Sequence, residues 1–272
     1  MVFEVAFIPP DAALDSNCVC VVIDVLRASS TIVTIFDKGC SEIHLTDNVT
    51  GFLDTGLAAD TPGLLVCAED VLGSCLKGAD FSPSLEEIER FGDIGNRKIL
   101  MQTTNGTVAI HALTRKGVTN IFIGCMLNAQ AVMRRTISLA DKLSSNILII
   151  CAGRDNGTSY TIDDVYCAAR LLQHGIKITE ELEIRMELQD SAKLAMMLLD
   201  IYPGAVEAFG ASASGNTMRN INCQRDILLC ARENISQTVP QVCGGTSSGQ
   251  IVIKKQNDAG GAYVQDLNAE RY

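Results

Sequence analysis

Short apolar, β-branched runs alternate with helix-patterned stretches over the first two-thirds of this 272-residue chain. That alternation predicts an α/β fold: a mostly parallel sheet between helices, three layers α/β/α deep. Two further observations agree. Runs such as Cys18-Val19-Cys20-Val21-Val22-Ile23 and 146–151 are almost wholly apolar, as strands covered on both faces must be. Two of the intervening helical patterns stop at Gly39 and Gly117, where glycine accepts the left-handed conformation that ends a helix.

In chain order, strands are predicted at 3–8, 18–23, 42–45, 64–67, 98–101, 120–123 and 146–151. Helices are predicted between them at 30–38, 49–58, 85–91, 108–116 and 129–143. From about residue 160 the pattern turns helix-rich, with helices at 162–174, 191–201 and 226–233 and short extended pieces at 239–242 and 250–254. No Pro/Gly/Ser linker divides the chain, so residues 1–255 are expected to form one α/β domain. Residues 256–272 are polar, broken at Gly260-Gly261, and read as a tail.

A chain of this length buries a core without staples. Its 11 cysteines are scattered singly through apolar runs and read as small buried hydrophobes of a reducing cytosol. Cys18 and Cys20 share one face of a strand, but no second Cys/His pair stands at zinc-finger spacing. No export signal or membrane span is expected, which points to a cytoplasmic protein. The net charge of −10, from 22 basic and 32 acidic residues without a basic cluster, argues against a nucleic-acid partner. It also means that an anionic ligand needs a divalent cation or well-aimed arginines to reverse the local field. A homodimer is only the general expectation for such a chain.

The polar residues collect just beyond the C-terminal ends of the predicted strands, where parallel α/β sheets bind ligands. The run ending at Ile23 delivers Asp24 and Arg27; the run ending near Cys67 delivers Glu69; the run ending at Cys151 delivers Arg154 and then Asp163 and Asp164; Asn128 follows 120–123. Asp24 ends its strand several residues early for a helix cap, which favours a ligand role. Glu69 fits a metal ligand or a solvated loop acid. Asp163 and Asp164 fit catalysis or the first helical turn that acids prefer. Asn128 fits substrate binding or an N-cap. Arg27 and Arg154 present forks suited to phosphate or carboxylate, or to pairing with Asp24 and Asp155 beside them.

After the strand at 98–101 comes Thr103-Thr104-Asn105-Gly106-Thr107, a polar turn where a strand hands over to a helix. Hydroxyls and the unpaired first N–H groups of a helix can hold a phosphate there, or merely cap the helix. His44, His111 and His174 read as core or cap residues, His174 at a helix end before Gly175. No Walker loop, G-x-G-x-x-G or G-x-S-x-G is present, so the chemistry rests on carboxylates and a metal.

The string Val21-Val22-Ile23-Asp24-Val25-Leu26-Arg27-Ala28-Ser29-Ser30-Thr31, the turn at 103–107, Gly124-Cys125-x-x-Asn128, Cys151-Ala152-Gly153 with Ile162-Asp163-Asp164, and Asn222-Cys223-Gln224-Arg225-Asp226-Ile227 occur in this order. Together they resemble the 2-phosphosulfolactate phosphatase family, over roughly residues 1 to 245. The resemblance implies that family's α/β fold and a Mg²⁺-dependent hydrolysis of 2-phospho-3-sulfolactate to 3-sulfolactate, toward coenzyme M. One departure is Gly78-Ala79-Asp80-Phe81-Ser82-Pro83-Ser84, which lacks the asparagine usual in the family's loop; that loop is expected to touch the ligand.

On this reading Asp24 and Glu69 hold Mg²⁺, Asp24, Arg27 and Asp164 are catalytic, and Thr103, Thr104, Asn105, Gly106, Thr107, Asn128 and Arg154 bind the small phosphorylated substrate. A metal-bound water attacking phosphorus is preferred over an Asp24 phosphoenzyme. Haloacid dehalogenase phosphatases need a second acid two residues after their aspartate, where this chain has Leu26.

Overall fold

The computed structural model describes residues 1–9, 18–56, 61–246 and 249–256. Its strands are β1 (Val2–Ala6), β2 (Val19–Ile23), β3 (Glu42–Leu45), β4 (Leu64–Ala68), β5 (Lys98–Gln102), β6 (Asn120–Ile123), β7 (Ile147–Cys151), β8 (Glu187–Leu188), β9 (Pro240–Gly245) and β10 (Ile251–Lys255). They form one 10-stranded sheet in the order β4-β5-β3-β10-β9-β6-β2-β7-β1-β8. Parallel pairing dominates, as the sequence predicts: β4 with β5, β5 with β3, and the run β6-β2-β7-β1-β8.

The interruption is the C-terminal hairpin. β9 and β10 pair antiparallel with each other, with β6 and with β3, and so occupy the middle of the sheet. Residues 239–242 and 250–254, expected as short extended pieces, are the seam between two parallel blocks. These antiparallel steps reverse the block β4-β5-β3 relative to the block containing β2. Strand twist of about 20–25° per neighbour accumulates over the steps from β2 to β5. The C-terminal ends of β2, β4 and β5 thereby meet in space.

The helices are α1 (Ala28–Asp37), α2 (Val49–Asp54), α3 (Leu85–Arg90), α4 (Gly106–Arg115), α5 (Ala129–Leu143), α6 (Ile162–Glu181), α7 (Asp190–Met196), α8 (Leu198–Ile201), α9 (Ala205–Ala211), α10 (Ala213–Asn220) and α11 (Gln224–Cys230). Local chemistry explains their starts. Ser84 accepts from the Glu87 N–H at α3, Asn48 from Gly51 at α2, and Ser212 from Gly215 at α10.

Alternation along the strands divides the core. Phe3, Val5, Val19, Val21, Ile23, Ile147 and Ile149 face α5, α6 and the C-terminal helices. Cys20, Val22, Leu148 and Ile150 face the other way, onto Ile32 and Ile35 of α1, Ile110 of α4, and Ile43, Leu45, Ile99 and Met101 of the opposite block. A smaller cluster of Val49, Val66, Ala68 and Leu100 covers the outer face of β4 and β5.

Several expectations change. The helix expected at 162–174 runs on to Glu181 because Gly175 is not a stop: a Cβ there would lie 2.8 Å from Phe3 Cε2, so the glycine lets α6 press onto β1. His174 therefore sits inside a helix, and its Nε2 lies 2.7 Å from Glu233. The helix expected at 49–58 ends at Asp54, and 57–58 lie outside the described residues, as do 257–272 of the polar tail. α9 and α10 fall outside the predicted helices; their Gly, Ser and Ala content leaves few large apolar residues to mark a helical period. None of the 11 cysteines is in a disulfide. Among the described residues no single helix is long and apolar enough to cross a membrane.

Candidate active site

The C-terminal ends of β2, β4, β5 and β7 open on one cleft enclosing about 530 Å³ including its mouth. Asp24 and Arg27 enter it from β2, Glu69 from β4, Thr104 and Asn105 from β5, and Gly153 and Arg154 from β7. Asp163 and Asp164 reach it from the first turn of α6, and Ser214 and Thr217 from α10.

Asp24 sits where β2 hands over to α1, and its Oδ1 accepts the Ala28 N–H at 3.4 Å. Burial pushes its carboxyl up, Glu69 and Asp163 push further, and the N–H groups of Ala28 and Gly106 oppose them, leaving it at about 7. Asp164 is also buried and held well above the usual carboxylate range by burial, Asp163 and Asp24. Both of its oxygens are engaged, Oδ1 by the Val25 N–H at 2.9 Å and Oδ2 by the Gly153 N–H at 3.1 Å. It latches the β2 and β7 turns together. Its neighbour Asp163 lines the same cleft with an Oδ1 that has no hydrogen-bond partner among the described residues. Burial pushes Asp163 up too, against the hydroxyls of Thr161, Ser214 and Ser212.

Arg27 is spoken for by the protein. NH1 donates to Asp226 at 3.1 Å, and NH2 donates to Glu69 at 3.2 Å and to the Gly73 carbonyl at 2.5 Å. Asp226 is fully buried, and its other oxygen accepts from Ser84 Oγ and the Glu86 N–H, each at 3.0 Å. Arg27 thus does not pair with Asp24 and is a strut joining the β2 turn, the β4 loop and α11. Glu69 completes the strut on the other side, its Oε1 accepting from the Thr104 N–H at 3.0 Å and the Thr104 hydroxyl at 3.1 Å.

The turn at 103–107 divides its labour. Thr104 and Asn105 line the cleft. Thr103 and Thr107 are buried behind it, each accepting the other's N–H on its hydroxyl, at 3.0 and 3.2 Å. They cap α4 and do not line the cleft. Gly106 is buried against Asp24, whose Oδ2 would lie 2.9 Å from a Cβ there.

Arg154 differs from Arg27. It is partly exposed, does not pair with Asp155, and makes no ion pair within the described residues; NH1 donates to Thr217 Oγ1 at 2.8 Å. Gly153 before it has φ +67 and would place a Cβ 2.4 Å from the Ser159 carbonyl, so this tight turn requires glycine.

Two expected contacts are absent. Asn128 is fully buried away from the cleft: Oδ1 accepts from the Cys125 N–H at 3.0 Å, while Nδ2 donates to Ile123 O at 3.1 Å and Thr238 O at 2.9 Å. The amide is consumed in fastening β6 to the segment that enters β9. The loop 78–84 also stays behind the site. Asp80 accepts the Val66 N–H at 2.7 Å and Ser84 supports Asp226, so this loop braces the strut rather than touching a ligand. Sequence reading assigned no site role to Asp226 or Thr217. Asp226 looks like any acid in a first helical turn, and Thr217 is a mid-helix threonine with no local signal.

Four carboxylates and one unpaired guanidinium around a strand-end cleft suit an anion accompanied by a cation. The comparisons with known proteins agree. The family described as 2-phosphosulpholactate phosphatase matches residues 6–245. A protein of Deinococcus radiodurans named probable 2-phosphosulfolactate phosphatase is 29% identical over 236 residues, 87% of this chain and 89% of its own. Relatives of the same name in Thermus thermophilus and Clostridium beijerinckii are 27% and 28% identical, across 88% and 84% of this chain and 92% and 90% of theirs. With a match that takes in every cleft element from β2 to α10, the chain belongs to the 2-phosphosulpholactate phosphatase family, a family of phosphoric monoester hydrolases.

Proposed function

We propose that this protein hydrolyses the phosphate ester of 2-phospho-3-sulfolactate to 3-sulfolactate and phosphate, with Mg²⁺, in the cytoplasm and on the way to coenzyme M. The observation that carries the reading is the meeting of Asp24, Asp163 and the Thr104-Asn105 turn in one cleft. The names of its relatives supply the substrate.

The residues fit the ion. Asp163 Oδ1 is buried and unpartnered among the described residues, and Asp24 and Asp164 are pushed up by burial and then by neighbouring carboxylates, a repulsion that a divalent cation relieves. Among the described residues no three acidic, His or Cys side chains form a ready cage. Mg²⁺ does not require one, since it keeps several waters and uses one or two carboxylates plus substrate phosphate. Asp24 and Asp163 would hold it directly, with Glu69 acting through water because its oxygens already serve Thr104 and Arg27. When bound, it would offset the phosphoryl charge and lower the pKa of coordinated water, for a reaction whose required acceleration reaches about 10²¹ in the extreme case.

The protein's own groups do the rest. Asn105 turns its remaining amide N–H toward the phosphoryl oxygens, while the Thr104 hydroxyl, given to Glu69, holds that turn in place. Asp164 fixes the Val25 and Gly153 backbone on either side of the reacting centre. Asp24, which lines the cleft, would take the proton of the attacking water and pass it to the 2-oxygen of the departing 3-sulfolactate as the P–O ester bond breaks.

Phosphate release from 2-phospho-3-sulfolactate with Mg²⁺ tests this directly. Asp24→Asn is expected to lose about 10²–10⁴-fold in rate, and chelation is expected to abolish turnover reversibly. No release from this ester, or an undiminished Asp24→Asn, would overturn the reading.

A further inference from the structure

The cleft contains two guanidinium groups with opposite circumstances. Arg27 has its charge met by Glu69 and Asp226 and a donor capped by Gly73 O. Among the described residues Arg154 has no carboxylate partner, and only its NH1 is engaged, by Thr217 Oγ1. Asp24, Asp163 and Asp164 line the same cleft, yet none of them is within ion-pair distance of Arg154, whose NH1 is held by the Thr217 hydroxyl instead. A cation kept unpaired beside three acids is set aside for a ligand anion. That anion is not the phosphoryl group, which the Asp24–Thr104–Asn105 side of the cleft would receive together with Mg²⁺.

We infer that Arg154, positioned by Thr217, reads a second anionic group of the substrate, a carboxylate or sulfonate whose paired oxygens match the remaining N–H fork. Arg154 then sets specificity from the turn after β7, and the residue that positions it sits on α10, outside the strand-end turns. This rests on the phosphatase reading above, deepens it, and is testable apart from it.

The comparison uses three phosphate esters: 2-phospho-3-sulfolactate, 2-phospholactate, which lacks the sulfonate, and isopropyl phosphate, which has no second anion. Arg154→Met is expected to lower kcat/KM on the acid substrates by roughly 10- to 100-fold more than on isopropyl phosphate, the worth of charge-assisted hydrogen bonds. A loss on 2-phospholactate identifies the carboxylate as the group read, and a loss confined to 2-phospho-3-sulfolactate identifies the sulfonate. Thr217→Val is expected to raise KM on the same substrates with a smaller change in kcat, and Thr217→Ser to restore it. A structural role for Thr217 would instead scale kcat on all three esters alike.

Equal losses on all three esters in Arg154→Met would overturn the inference while leaving the phosphatase reading intact. Calorimetric titration of the Mg²⁺-loaded protein with 3-sulfolactate, which carries no phosphate, gives a readout independent of turnover. Binding that weakens roughly 10-fold or more in Arg154→Met supports the second-anion contact even if no ester is hydrolysed. Undiminished binding overturns it.

Discussion

Gly106 has no room for a side chain: a Cβ would stand 2.9 Å from Asp24 Oδ2 and 2.8 Å from the Ala28 Cβ. Its backbone N–H is one of the groups that hold down the Asp24 carboxyl. Gly106→Ala is expected to cost about 1–3 kcal/mol through this overpacking and to lower kcat/KM by displacing Asp24, as checked by urea denaturation beside phosphate release. Asp24 also writes a signature into the stability of the Mg²⁺-free protein. Its native carboxyl is raised to about 7, first by burial and then by Glu69 and Asp163. In the unfolded chain it titrates at about 4. Between those values the native state binds more protons, so stability is full below the unfolded value and falls as pH rises toward the native one. Asp24→Asn is expected to make that fall shallower, Asp163 and Asp164, also raised, supplying the rest. Urea midpoints of both proteins across this range check it, and parallel profiles would refute it.

At the scale of the element, the turn at 103–107 shows why a motif splits into working and supporting residues. Thr103 and Thr107 spend their hydroxyls on each other at the start of α4, which leaves Thr104 and Asn105 free to face the cleft. Asn128 makes the same point more strongly. Its amide ties the end of β6 to Thr238, immediately ahead of β9. Asn128→Ala leaves a buried N–H and two carbonyls unpaired. It is expected to destabilise by about 2–4 kcal/mol while KM changes little, because no ligand contact is lost. A thermal melt and a substrate titration decide between this staple and a binding role. A large rise in KM at unchanged stability would restore Asn128 to the site.

For the whole molecule, the hairpin β9–β10 is the feature on which the cleft depends. It fills the gap between β3 and β6 and supplies the backbone hydrogen bonding that makes the two blocks one sheet. A chain ending at residue 239 is expected to expose two edges, those of β3 and β6, and to aggregate or lose its cooperative unfolding transition. Size-exclusion chromatography and circular dichroism check this, and a soluble monomer with full helix content would refute it. Much of the molecule was legible from local pattern. β3, β6 and α5 were read with their bounds, and Asp24, Glu69, Thr104, Asn105, Arg154, Asp163 and Asp164 were all placed at strand ends before any fold was known. Each of those readings depends on neighbours a few residues away, on periodicity and on the strand-to-helix handover. What tertiary structure alone decided was of another kind. It placed the last strands at the centre of the sheet, turned Arg27 from ligand fork to strut through Asp226 199 residues away, withdrew Asn128 through Thr238, and left Arg154 unpaired beside Thr217. Those outcomes depend on which distant groups compete for the same donors and acceptors. The strand-end carboxylates are fixed by the chain's own order, whereas the partners that free or consume an arginine arrive only when the sheet closes.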